Sequence, residues 1–179
     1  MGKIVSLTGA SGAGKDAIAR ALRLPYLTST TTRLPRPADW PGEYEFLDLE
    51  DFNEQKAWGA FVWDKEYSGN YYGTKYEIIN KALTNPEYSV MTVLHEIVPL
   101  LLEYARTENV LPFYIRSPSE EVLRQRMQQR GDKSDSIERR LKENRDLDWQ
   151  VENSDLPYIF ITNNGTIEEA VGKVKEYLK

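Results

Sequence analysis

Lys15 and Asp16 close the stretch GASGAGKD, Gly9 to Asp16, whose spacing G-x-x-x-x-G-K is that of a loop that wraps phosphate groups. Such a loop works through its backbone. Gly9, Ser11, Gly12, Ala13 and Gly14 would bring free N–H groups close to an anion, at the positive end of a helix that runs on through Ala17. Lys15 adds a point charge that can reach a phosphoryl group in transfer. The next residue is ordinarily Ser or Thr, whose hydroxyl helps to hold Mg2+. Asp16 offers a carboxylate there, a hard oxygen donor able to ligate Mg2+ directly. A glycine-rich turn that only opens a helix would share some of these letters, so context has to decide.

Three further groups of residues could serve the same chemistry. In TSTTTRLPRP, hydroxyl residues run into Arg33 and Arg36, and two guanidinium groups three residues apart can grip a second phosphate. In SGNYYGT, Tyr71 and Tyr72 offer phenol donors between glycines, though a hairpin with packed aromatics reads equally well. Arg124, Arg126, Arg130, Arg139 and Arg140 flank the polar stretch GDKSDS. Arginines often line solvated helix faces; a loop between two such helices can also close as a lid that excludes water.

The elements that must position these residues follow from periodicity. KIVSLTG reads as a buried strand and KDAIARALR as a helix, so the glycine loop lies between strand and helix. From Pro25 to Thr74, prolines and glycines alternate with aromatics, which implies turns and short strands in a small β-rich insert. Then follow YEIINKAL as helix, YSVMTVL as strand, EIVPLLLEYART as helix and VLPFYIR as strand. SPSEEVLRQRMQQRG reads as a helix with Ser119 as N-cap and Gly131 as stop. IERRLKENRDLDWQVE is a helix, YIFITNN a strand and TIEEAVGKVKEYLK a helix. Alternating strands and helices predict an α/β fold with a parallel sheet covered on both faces.

Composition narrows the function classes. With 179 residues, 40% of them apolar, one domain is expected. A formal charge of -5 argues against nucleic acid as partner, the lack of cysteine excludes thiolate chemistry, and one histidine, His95, excludes a histidine-rich metal site. No apolar run approaches the roughly 18 residues of a membrane span, so a cytoplasmic location without a membrane partner is expected.

In order along the chain, GASGAGK, STTTRLPRP, GEYEF, GNYYGT, FYIRSPSEEVLRQRMQQRG, IERRL and YIFITNN resemble the guanylate kinase family over nearly the whole length. The resemblance implies a P-loop kinase fold. It has a core (1–30, 75–130 and 141–179), an acceptor subdomain (31–74) and a lid (131–140) one residue shorter than usual. It implies transfer of a phosphoryl group from MgATP to a nucleoside monophosphate; a monomer or homodimer is expected. By motif, Lys15 and the Gly12–Lys15 backbone hold ATP phosphates, Arg33, Arg36, Tyr44 and Tyr72 the acceptor phosphate, and Ser29 and Thr74 lie near its base. Arg130 and Arg140 reach the transferring group, and Asn163 begins the adenine-side loop.

Two departures concern the base. Where the family has an acid on the guanine edge, this chain has Trp63; a bulge or slip would supply Asp64 instead. The end of the central strand reads VMTVLHE, with Thr92 and Leu94 in place of a second acid unless Glu96 replaces it. Sites lacking polar partners for a base lose discrimination for it, so the expected acceptor is a ribo- or deoxynucleoside monophosphate, GMP- or dGMP-like or with a related base, and the alternative is ribose 1,5-bisphosphate. The GKD loop also resembles ribose 1,5-bisphosphate phosphokinases and phage deoxynucleoside monophosphate kinases. A non-catalytic guanylate-kinase-like domain that binds a phosphorylated partner is the reading from another class.

Overall fold

The computed structural model of the chain describes residues 2–116 and 118–178. Ser117, within the expected helix SPSEEV, and Lys179, the last residue of the final one, lie outside them. Four strands form a parallel sheet in the order β6-β1-β7-β8: β1 (Lys3–Gly9), β6 (Tyr88–Thr92), β7 (Val110–Arg116) and β8 (Ile159–Thr162). The neighbours of β1 lead away in opposite directions, which opens a crevice at its carboxyl end, the usual ligand position in such sheets.

Strand alternation divides the core between two faces. On one face Val5, Leu7, Phe113 and Ile115 meet Ile18 and Leu22 of α1 (Lys15–Leu22) and Val171 and Val174 of α7 (Ile167–Lys175). On the other, Ile4, Met91 and Tyr114 meet Ile79 of α3 (Tyr76–Thr84), Val98 and Leu101 of α4 (Val98–Ala105) and Val151 of α6 (Ser134–Glu152). Each buried aliphatic side chain contributes about 1.5–3 kcal/mol, so these two layers fix the sheet and its crevice. α5 (Glu120–Gln129) and α6 add a small cluster of their own, Leu123, Met127, Ile137 and Leu141.

The insert between α1 and α3 is a second sheet with order β3-β2-β5-β4: β2 (Ser29–Thr31), β3 (Tyr44–Phe46), β4 (Phe61–Tyr67) and β5 (Asn70–Lys75). Ser29 and Thr30, which the sequence reading placed in the core, pair here. Ser68 and Gly69, at φ 53 and 76, make the two-residue turn between β4 and β5. The sequence reading missed α2 (Leu49–Ala57), although Asp48 accepts the Asp51 N–H and marks its start.

Several expected boundaries shift. α6 starts at Ser134, inside the stretch read as a polar turn, and His95–Ile97 form a 3-10 turn before α4. Ser119 stands at the N-cap of α5 but makes no capping bond through its side chain. Among the described residues no helix is long and apolar enough to cross a membrane.

Candidate active site

Gly9 ends β1 where that strand lies so close to β7 that a Cβ would stand 2.6 Å from the Ile115 carbonyl oxygen. Gly14, at φ 92, is the N-cap of α1, and a Cβ there would meet Asn163 Nδ2 at 2.6 Å. No side chain caps the first turn of α1, which leaves its N–H groups free for an anion. Lys15 and Asp16 follow at once, with Asp16 exposed.

The loop is clamped from the far half of the chain. Asn144 of α6 forms a two-way clasp on Ser11, accepting its N–H at 2.8 Å and donating to its carbonyl at 3.1 Å. Arg140 Nη1 donates to Ser11 Oγ at 2.9 Å, and Arg126 Nη1 to the Gly12 carbonyl at 3.2 Å. Asn163 donates to the Ala13 carbonyl at 2.7 Å, while its Oδ1 is buried without a partner. Asn163 is only 1% exposed and braces the loop through that bond. Asn144 was missed from sequence because an asparagine inside a long polar helix carries no spacing signal.

The lid arginines differ in what they touch. Arg130 pairs with Asp132, Nε to Oδ1 at 3.1 Å; the guanidinium holds that carboxyl below its ordinary range, and Asp132 raises Arg130. Arg140 stands 4.0 Å from the same carboxylate. Arg124 pairs with Glu138 and Arg139 with Glu143 on the outside, so these two belong to the solvated face.

On the second sheet Arg33 is 7% exposed and makes a two-pronged pair with Asp39 at 2.7 and 2.8 Å. Its guanidinium carbon lies 4.5 Å from the centre of the Tyr44 ring, and Tyr44 meets Tyr72 edge-on at 6.3 Å. The Asp39 pair raises the Arg33 pKa, and Arg33 lowers Asp39. Burial pushes the Tyr44 phenol up to about 12. Arg33, Tyr44 and Tyr72 are thus brought together, whereas the Arg36 side chain is exposed and only its backbone N–H meets Asp39, at 2.6 Å.

A family model described as guanylate kinase matches residues 1–179. The chain belongs to the guanylate kinase family. It is 34% identical over 176 residues to a guanylate kinase of Thermus thermophilus, covering 95% of this chain and 77% of that one. To the guanylate kinase of Trichormus variabilis it is 36% identical over 148 residues, 79% of this chain and 73% of that one. The crystal structure of guanylate kinase from Anaplasma phagocytophilum superposes with a TM-score of 0.77 at 26% identity, over 99% of this chain and 84% of that one. The enzyme class is that of the family, nucleoside monophosphate kinase, and the P-loop fold expected from sequence stands.

The residues that depart from the family pattern now have places. β4 does carry a bulge, between Phe61 and Trp63, but it acts in the opposite sense to the slip that would have presented Asp64. Phe61 stacks on Phe52 of α2 on the outer face, Val62 and Trp63 both turn inward, and Asp64 turns outward to pair with Lys56. Thr92 Oγ1 is 2.9 Å from the Tyr26 hydroxyl, and Leu94 packs with the core cluster. Glu96 is taken by Lys65. His95 Nδ1 meets the Tyr158 hydroxyl at 2.9 Å, and burial lowers its pKa.

Proposed function

We propose that the protein moves the γ-phosphoryl group of ATP, bound with Mg2+, onto the phosphate of a nucleoside monophosphate in the cytoplasm, giving ADP and a nucleoside diphosphate. An acceptor phosphate oxygen forms the new bond to phosphorus as the bond to the ADP oxygen breaks, so positioning and charge are the protein's main tasks.

One observation carries this reading: the lid helices close directly on the phosphate loop, with Arg140 donating to Ser11 Oγ at 2.9 Å and Arg126 to the Gly12 carbonyl at 3.2 Å. On the second sheet Arg33 is held by Asp39 in a two-pronged pair and lies against the Tyr44 ring. In their assigned roles, the N–H groups of Gly12 to Ala17 and Lys15 hold the ATP phosphates. Arg33, Arg36, Tyr44 and Tyr72 hold the acceptor phosphate, and Arg130 and Arg140 offset charge on the group in transfer. Ser29, Thr74 and Trp63 face the base.

The residues fit a magnesium-bound nucleotide. The first turn of α1 is uncapped, and no ion pair engages Lys15 among the described residues. No group of three or more His, Asp or Glu side chains among them could hold a metal alone. That suits Mg2+, which keeps phosphate and water oxygens and takes one or two carboxylates, here Asp16. When bound, Mg2+ neutralises charge on the phosphates.

Retention of Lys15, Arg130 and Arg140 speaks against a binding-only domain. The test is ADP release from MgATP, read with and without a mixture of the common nucleoside monophosphates. Release should require the mixture and fall on the order of a thousandfold in Arg140→Ala. Acceptor-independent release, or an unaffected variant, would overturn the reading.

A further inference from the structure

The inner face of the second sheet carries a continuous row. Register places Tyr44 beside Ser29, Ser29 beside Thr74 through the pairing of β2 with β5, and Thr74 beside Trp63. At strand spacing this row spans about 14 Å from Tyr44 to Trp63. One end carries Arg33 and Tyr44, the anion grip. In the middle, Ser29 Oγ and Thr74 Oγ1 stand 3.4 Å apart, both residues buried, each hydroxyl able to donate or accept. At the other end Trp63 is 7% exposed, and its Nε1–H is buried with no hydrogen-bond partner.

A buried indole N–H is ordinarily paired, and an orphan asks for an acceptor. The sheet supplies none at this end. Glu45, Asp64 and Glu66 alternate onto the opposite face, where Glu45 meets Lys75 and Asp64 meets Lys56. Glu96, which reaches Lys65 from the core, is neutralised by that pairing.

Resting on the proposed acceptor site, we infer that Trp63 determines base specificity by donating its Nε1–H to an unprotonated ring nitrogen, so that adenine- or cytosine-type monophosphates are preferred. With the phosphate at the Arg33 end and the sugar beyond it, the base edge remote from the glycosidic bond meets Ser29, Thr74 and Trp63. In adenine and cytosine that edge pairs an amino donor with a bare ring nitrogen. The hydroxyls accept from the first and the indole donates to the second. Guanine and uracil put a ring N–H there, which would face the indole donor head-on, and a site that leaves polar groups unpaired rejects such a ligand.

The test compares kcat/KM for AMP, CMP, GMP and UMP, together with 1-deaza-AMP, whose ring nitrogen is replaced by C–H. The wild-type enzyme should favour AMP or CMP over GMP and UMP by at least about tenfold, and 1-deaza-AMP should lose about ten- to a hundredfold against AMP. Trp63→Phe keeps the ring and its burial, and should shrink both ratios toward one. Preference for GMP, or no penalty for 1-deaza-AMP, overturns the inference and leaves the kinase reading standing. Turnover of ribose 1,5-bisphosphate alone overturns the nucleoside monophosphate reading as well. No turnover with any acceptor overturns both.

Discussion

Arg33 shows how one side chain is fixed in place by its neighbours. Asp39 takes one N–H from each Nη, and the Leu34 carbonyl takes another from Nη1 at 2.9 Å. The Tyr44 ring lies against the guanidinium. The ion pair, the Leu34 carbonyl and the Tyr44 ring together hold the planar fork in one orientation. Asp39 is therefore a positioning residue. Asp39→Asn should raise the acceptor KM about tenfold with a smaller change in kcat. Steady-state kinetics at saturating MgATP checks this, and a lowered KM would mean that Asp39 competes with the acceptor instead. Arg33, Tyr44 and Tyr72 were legible in sequence because arginine and tyrosine stand out in short motifs. Asp39 was not, since an acid in a turn looks like any solvated loop residue until the chain folds it back.

At the scale of elements, the bulge in β4 decides which residue turns inward. Regular alternation from the outward Phe61 would have turned Trp63 out and Asp64 in; one extra residue reverses both. Such a device leaves no mark in a run like FVWDKEY, so the sequence named Trp63 at this position, with Asp64 as the residue a slip or bulge would supply. The loop that leads into β3 carries another buried group, Glu43, 6% exposed, which accepts the Trp40 N–H at 3.2 Å and stands 4.0 Å from Arg20. Burial, with Asp16 and Asp39 nearby, raises its pKa. A raised carboxyl binds its proton more tightly folded than unfolded, so stability falls as pH climbs from the ordinary value of about 4.3 through the raised one. Glu43→Gln removes that fall. Thermal melts should show the variant at least as stable as wild type at pH 7, relatively less so below pH about 4. A variant less stable at pH 7 would show that the Arg20 contact outweighs desolvation.

At the scale of the whole molecule, the strand–helix alternation, the parallel sheet and the glycine loop followed from periodicity and turn residues, which act locally. The clamps that join distant segments did not, because Asn144 on Ser11, Arg126 on Gly12 and Lys65 on Glu96 link residues far apart in the chain with no shared pattern. These clamps bring the loop, the second sheet and the α5–α6 pair around the carboxyl end of β1. An enzyme assembled in that way should pass a phosphoryl group between two bound nucleotides without releasing it to water. Phosphorus NMR of the reaction of MgATP with the preferred nucleoside monophosphate tests this claim most directly. The account predicts two diphosphate β-phosphates, one from ADP and one from the phosphorylated acceptor, for each ATP consumed; one ADP accompanied only by inorganic phosphate would contradict it.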